Sequence, residues 1–237
     1  MLYAGAHLMR PKRYPRSAFT LVEMIVVIAI IAALLALAFP AFSRVMERGR
    51  VTQDLSNLRQ IGIAMQTYLN EHDETLPAAS TWPGTTAAPV LYSKYLSVRK
   101  VLQSPFDKRP SAESDTAPVS YSINANMYTT AGINGNMARV VSASATIFIA
   151  PSYIGDPRNT ASWAGKTNAA PNLVAGGVGM TRGTHSNGTR IDALFCDYHT
   201  ETLPFGPAAV VNSFQDAAST SSTNPPGQGQ KRWDPTR

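Results

Sequence analysis

The 237-residue sequence predicts an α+β fold: a long N-terminal helix, transmembrane and then amphipathic, packed on a small antiparallel β-sheet domain. Three observations carry this. An almost uncharged apolar run extends from Phe19 to Phe42, apolar residues then recur at spacings of three and four as far as Tyr68, and beyond Pro77 short apolar runs alternate with turn signals.

The run FTLVEMIVVIAIIAALLALAFPAF has the length of a bilayer-spanning helix, about 17–25 residues, and Glu23 is its only charge. Arg10, Lys12, Arg13 and Arg16 precede it with no acid among them, so of the formal charge of +6 only +2 lies beyond the leader. So small a charge is no footprint for nucleic acid. The positive-inside tendency keeps residues 1–18 cytoplasmic and sends the rest outward. A secretory signal peptide shares the basic start, but it lacks so long an apolar run, a carboxylate near its beginning and an uninterrupted continuation.

That continuation is the amphipathic part, with Val51, Leu55, Leu58, Ile61, Met65 and Tyr68 on one helical face. Asn70 to Pro77 supplies the stop, giving a rod on the order of 75 Å from about Thr20 to Leu69. Two irregularities stand out. Pro40 removes the backbone bond to the Ala36 carbonyl and is expected to kink or locally melt the helix. Glu23 is costly in hydrocarbon unless paired or held in the wet interface; cleavage before Phe19 would create an amine four residues away, and a neighbouring subunit's amine could meet it in an apolar filament core.

The stretch Ala18-Phe19-Thr20-Leu21-Val22-Glu23, with its basic leader and apolar sequel, resembles the cleavage and methylation motif of type IV pilins and type II secretion pseudopilins. Pro40 falls where that family commonly has its helix-bending proline, whereas Ala18 stands where it usually has Gly. The resemblance implies cleavage between Ala18 and Phe19 by a membrane prepilin peptidase, N-methylation of Phe19, and assembly with other pilin or pseudopilin subunits on an inner-membrane platform, with Glu23 aiding register. It also implies a single-pass bacterial inner-membrane protein whose C-terminal domain is periplasmic and is carried into a filament. Starting at Met9 would keep the basic cluster and give a leader of more usual length.

The expected organisation is leader 1–18, filament-core helix 19–42, amphipathic continuation 43–72, periplasmic domain 73–215 and flexible tail 216–237, with Trp233 able to dock back. Within the domain, Val90 to Val98 is expected as a short helix, and Ser120–Ile123, Ala145–Ala150, Ile191–Cys196 and Thr200–Leu203 as strands, the last two forming a hairpin across Asp197-Tyr198. The stretch 151–183, rich in Gly, Ala, Asn and Pro, is read as a surface lobe or interaction loop.

Several pieces resemble a pilin-like family named for an H-x9-D-G signature: KYLSVRKVLQSPFD, SYSIN, ATIFIA, the tract from His185 to His199, and RWDP. His185 and Asp197 are two residues further apart than the signature, Ser104 replaces a cysteine that often precedes the proline, and Tyr198 replaces Gly. Loss of that Gly implies a different turn type.

His185, Asp192, Asp197 and His199 form the densest set of metal-ligand types. A cation site is one reading. In the other, favoured by strand alternation, His185 and Asp197 tie a loop to the hairpin while Asp192 and His199 face solvent, alternating with Leu194 and Cys196 in the core. Alternation along Ile191–Cys196 puts Asp192, Leu194 and Cys196 on one side, and Ala193, Phe195 and Asp197 on the other. Cys196, the only cysteine, is expected to be a small buried residue. No G-x-S-x-G, H-E-x-x-H or phosphate-binding Gly loop is present, so neither a catalytic centre nor a cofactor is expected. The competing class is a membrane-anchored periplasmic binding protein or enzyme using His185 to His199. Glu23 and the basic leader favour a structural subunit, since an anchor needs neither.

Overall fold

The computed structural model describes residues 20–87, 89–110, 114–115, 117–128, 132–153, 156–160, 163, 182–204 and 234–236. Most of the expected lobe 151–183 and tail 216–237, including Trp233, lies outside them. Two compact units divide after Val45.

The helix α1 (Leu21–Glu71) runs through both units. From Leu21 to Met46 every side chain is exposed. Pro40 lies inside a helical run that neither breaks nor unwinds, so the locally melted turn allowed by the sequence does not form. The helix ends where its stop signals predict: Asp73 and Glu74 both adopt left-handed φ (49° and 58°), and the Glu74 N–H returns to the Leu69 carbonyl at 3.0 Å.

In the second unit, α1 buries Leu58, Ile61, Ala64, Met65 and Leu69, as its periodicity requires, while Val51, Leu55 and Tyr68 sit at the margin. Asp54, Asn57 and Gly62 are buried on the same face. A Cβ on Gly62 would lie 3.0 Å from Leu194 Cδ1, so the missing side chain lets the sheet approach the helix axis.

The stretch Val90 to Val98 is not the expected helix. Leu91 and Tyr92 both donate to the Pro83 carbonyl, and Ser93 at φ 68° donates to the Leu96 carbonyl, folding the segment into a tight turn. Leu91 and Leu96 still point inward, into the core, while Val98 is exposed. Around it, the Trp82 indole N–H donates to the Tyr121 carbonyl at 3.0 Å. Arg99, fully buried, donates to the Gly84 and Asp115 carbonyls, each at 3.1 Å. Its guanidinium lies 4.8 Å from the centre of the Tyr92 ring.

Four strands, β1 (Tyr121–Ile123), β2 (Ile147–Pro151), β3 (Arg190–Phe195) and β4 (Thr200–Pro204), form an antiparallel sheet in the order β1-β2-β3-β4. Each lies within two residues of its expected position. Between β2 and β3 the register slips, with Ile147 opposite Phe195 but Ile149 opposite Leu194. This bulge sends two successive side chains, Phe148 and Ile149, to one cluster.

The sheet is covered on both faces. One cluster joins α1 to Tyr121, Ile123, Phe148, Ile149, Leu194 and Cys196; the other gathers Ile147, Ala150, Tyr153, Trp163, Ile191, Ala193, Phe195 and Leu203. Asp192 shares the side of Leu194 and Cys196, as alternation requires, but it is fully buried and does not face solvent. Near the C-terminus, the Pro235 carbonyl accepts from Val141 N–H at 3.0 Å and Pro235 is buried, so this part of the expected flexible tail is docked.

Candidate functional site

The first candidate is the N-terminal segment. Ala18 and Phe19, the expected cleavage and methylation residues, lie outside the described residues. Just beyond them, Thr20 and Glu23 form a reciprocal cap. The Thr20 N–H and Oγ1 both donate to Glu23 Oε2, at 2.9 and 2.8 Å, while the Glu23 N–H donates to Thr20 Oγ1 at 3.3 Å. The carboxylate is thus held at the helix start, where the positive end of the helix dipole favours it. A long apolar stretch follows; the helix is long and apolar enough to cross a membrane, and none of that window is buried within the chain. Exposed Ile, Leu, Val and Phe in such density need lipid or other apolar helices around them.

The second candidate is the set around His185. The structure splits it into two pairs, and neither is the pair expected from sequence. His199 Nδ1 lies 2.5 Å from Asp197 Oδ1 at the exposed hairpin turn, where its ring stacks on Phe195. His185 is buried and faces Asp192, with Nε2 3.8 Å from Asp192 Oδ1 and its ring stacked on Phe106. Asp197 therefore does not tie His185 to the hairpin. The turn also departs from expectation: Tyr198 itself adopts φ 69°, and its N–H donates to the Phe195 carbonyl at 2.9 Å. The left-handed position is kept without Gly, with the Tyr198 ring edge-on to Phe148.

The loop bearing His185 is drawn close to β3. A Cβ on Gly183 would fall 2.4 Å from the Arg190 carbonyl oxygen, so that position requires Gly. The Ser186 N–H donates to Glu47 Oε1 of α1 at 2.5 Å, a link between chain positions far apart. Burial lowers the His185 pKa more than Asp192 and Glu47 raise it, which favours the neutral ring.

Sequence reasoning missed Asp54, the centre of this cluster. Its Oδ1 accepts from Ser104 Oγ at 2.6 Å and from the Tyr121 hydroxyl at 2.5 Å, and it lies in hydrogen-bonding reach of Asp192. Burial, reinforced by the Asp192 charge, pushes Asp54 up to about 8 against the opposing effect of its two donors. Asp192 is raised as well, chiefly by burial, although it accepts from Thr202 Oγ1 at 2.5 Å. Asp54 could have been found by extending the helical face: it stands three and four residues before Asn57 and Leu58. The departure of Ser104 from cysteine supplies the hydroxyl that meets it.

Among the described residues no group of three or more His, Cys, Asp or Glu is placed to hold a metal ion. Cys196 is buried, and burial pushes its thiol up to about 12, the state of an inert core sulfur. A cleft of about 500 Å³ opens beside α1, lined in part by Gln53, Asn57, Gln60, Lys100 and Gln103. The amides are committed: Gln53 donates to Asn57, Asn57 to the Gln103 carbonyl, and Gln103 to the Asp107 and Arg109 carbonyls.

In comparison with known proteins, residues 13–39 match the family described as the prokaryotic N-terminal methylation motif. The match takes in Arg13, Arg16, the Ala18-Phe19 junction and Glu23, and stops just before Pro40. The motif marks a prepilin-type protein processed at its N-terminus. No curated protein and no solved structure matches the chain.

Proposed function

We propose that this chain is a structural subunit of a type IV pilus or type II secretion pseudopilus: cleaved by prepilin peptidase between Ala18 and Phe19, N-methylated on Phe19, and polymerised through α1. The observation that carries this is the joining, in one short segment, of the matched methylation motif and an exposed apolar helix headed by the Thr20–Glu23 cap. Before assembly the helix spans the inner membrane with the domain in the periplasm. Its partners are the peptidase, other pilin-like subunits, the assembly platform and lipid, with no nucleic acid. The domain carries no catalytic centre and no cofactor; the burial of His185 and Asp192 supports this over a catalytic or binding role for the His185–His199 region. The pieces resembling the H-x9-D-G family support a pilin-like domain of the same kind.

N-terminal mass spectrometry of membrane-extracted protein tests the reading. A mature chain beginning at methylated Phe19 is expected; one beginning beyond Phe42 would mean an ordinary signal peptide and sink it. Glu23→Val is expected to leave membrane insertion intact while impairing assembly, because a buried positive partner would lose its counter-charge. Incorporation of mutant and wild-type subunits in equal proportion would remove Glu23 from this role.

A further inference from the structure

Asp54 on α1 and Asp192 on β3 are both fully buried, at 0% exposure, and they face each other across the joint between helix and sheet. Among the described residues neither meets a Lys or Arg in an ion pair, and His185, the cationic candidate there for Asp192, lies beyond hydrogen-bonding distance at 3.8 Å. Asp54 Oδ1 is occupied by Ser104 and Tyr121, and Asp192 Oδ1 by Thr202. The second oxygen of each carboxyl, Asp54 Oδ2 and Asp192 Oδ2, is buried with no hydrogen-bond partner among the described residues, as is His185 Nε2. Two ionised carboxylates in that position would set acceptor against acceptor, an arrangement costly in a desolvated site. One proton would let one carboxyl donate to the other in a charge-assisted O–H···O bond.

We propose that Asp54 and Asp192 share a single proton as an acid–carboxylate pair, and that this proton fastens α1 to β3, so that the joint holds more tightly in mild acid than in mild alkali.

The groups facing the pair set its direction. Tyr121 from β1 is pushed well above its ordinary range by burial and by Asp54, so it stays a neutral donor. Glu47 from α1 and Arg190 from β3 act on His185 with opposite signs, and Tyr153 feels the Asp54 charge from the second cluster. An acid whose folded pKa lies above its unfolded value contributes stability that is full below the ordinary carboxylate range near 3.8, and that is lost as pH rises toward about 8. His185, with a lowered folded pKa, contributes stability that is present above its ordinary value of 6.5 and lost as pH falls through the folded one. Between pH 6.5 and 8 the carboxyl pair therefore acts alone among these groups.

The test is thermal unfolding of the full chain in detergent micelles from pH 6.5 to 8.5, read by the fluorescence of buried Trp82 and Trp163. The wild-type midpoint is expected to fall by roughly 3–5 °C per pH unit up to about pH 8. Asp54→Asn and Asp192→Asn each supply a permanent donor and are expected to flatten that slope. Wild-type slope in both variants would overturn the proposal. Infrared spectroscopy of the unmutated chain decides independently of variant folding: a protonated carboxyl C=O band present at pH 7 and lost by pH 9 is expected, and no such band at pH 7 overturns the shared proton.

Discussion

The two stretches of α1, Leu21–Val45 and Met46–Glu71, are one uninterrupted helix built under opposite rules. The first is almost wholly apolar and exposes every side chain; the second is mixed, yet it buries an Asp, an Asn and a Gly beside Leu58, Ile61 and Met65. Apolarity in the first stretch is addressed to surroundings outside the chain. In the second, position on the helical face decides burial, and a polar side chain is accepted where the sheet or a loop supplies its partner. Asn57 reaches the Gln103 carbonyl at 3.1 Å, and Asp54 receives Ser104 and Tyr121.

The comparison breaks most visibly under paired charges. Ile31→Arg/Leu35→Arg places two cations in the membrane-spanning stretch at a cost of about 5–7 kcal/mol to insertion, and the chain is expected to disappear from the alkali-resistant membrane fraction. Ile63→Arg/Thr67→Arg has the same spacing on an exposed face of the second stretch and is expected to change stability by about 1 kcal/mol or less. If both doubles insert equally, the first stretch is not addressed to lipid.

Trp82→Ala is next, removing the largest fully buried side chain among the described residues and its bond to the Tyr121 carbonyl. A loss of about 3–5 kcal/mol is expected in the domain's urea unfolding, with membrane association unchanged. Loss of both together would show the two stretches to be less independent than their packing implies. Gly62→Leu should cost about 1–3 kcal/mol, because Leu194 already occupies the space a side chain needs. Wild-type stability there would mean that helix and sheet can separate freely at this contact.

The smallest effect concerns the hairpin. Tyr198→Gly and Tyr198→Ala both lose the ring, but only Gly relieves the left-handed backbone, so the Gly variant should be the more stable by about 1 kcal/mol. Equal stabilities would leave the φ of 69° without energetic weight.

Much of this was legible in the sequence because the signals were repetitive. Leu58, Ile61 and Met65 recur at helical spacing, and the four strands are short apolar runs between turn residues, so their positions came within two residues. What failed was decided by single long-range bonds. The inward-facing Leu91 and Leu96 mimic a helical face, but the Pro83 carbonyl captures the Leu91 and Tyr92 N–H groups and folds a turn instead. Tyr198 was expected to change the turn for want of Gly, yet it adopts the left-handed φ itself, with its ring edge-on to Phe148. The His185 cluster was half visible: the residue types were seen, while their true partners, Asp192 and Asp54, read as solvent-facing and unremarked. The helical spacing of Asp54 was there to be read, but nothing local marks the serine 50 positions away that meets its carboxylate.

The lone thiol offers a practical use of this architecture. Cys196 sits at the end of β3 on the side of the sheet that packs against α1, sealed from solvent and chemically quiet while the domain is closed. A maleimide added from outside therefore reacts mainly in moments when the packing around Cys196 opens. The chain thus carries its own clock: the rate of alkylation at its single cysteine counts how often this end of the sheet opens, with no label introduced.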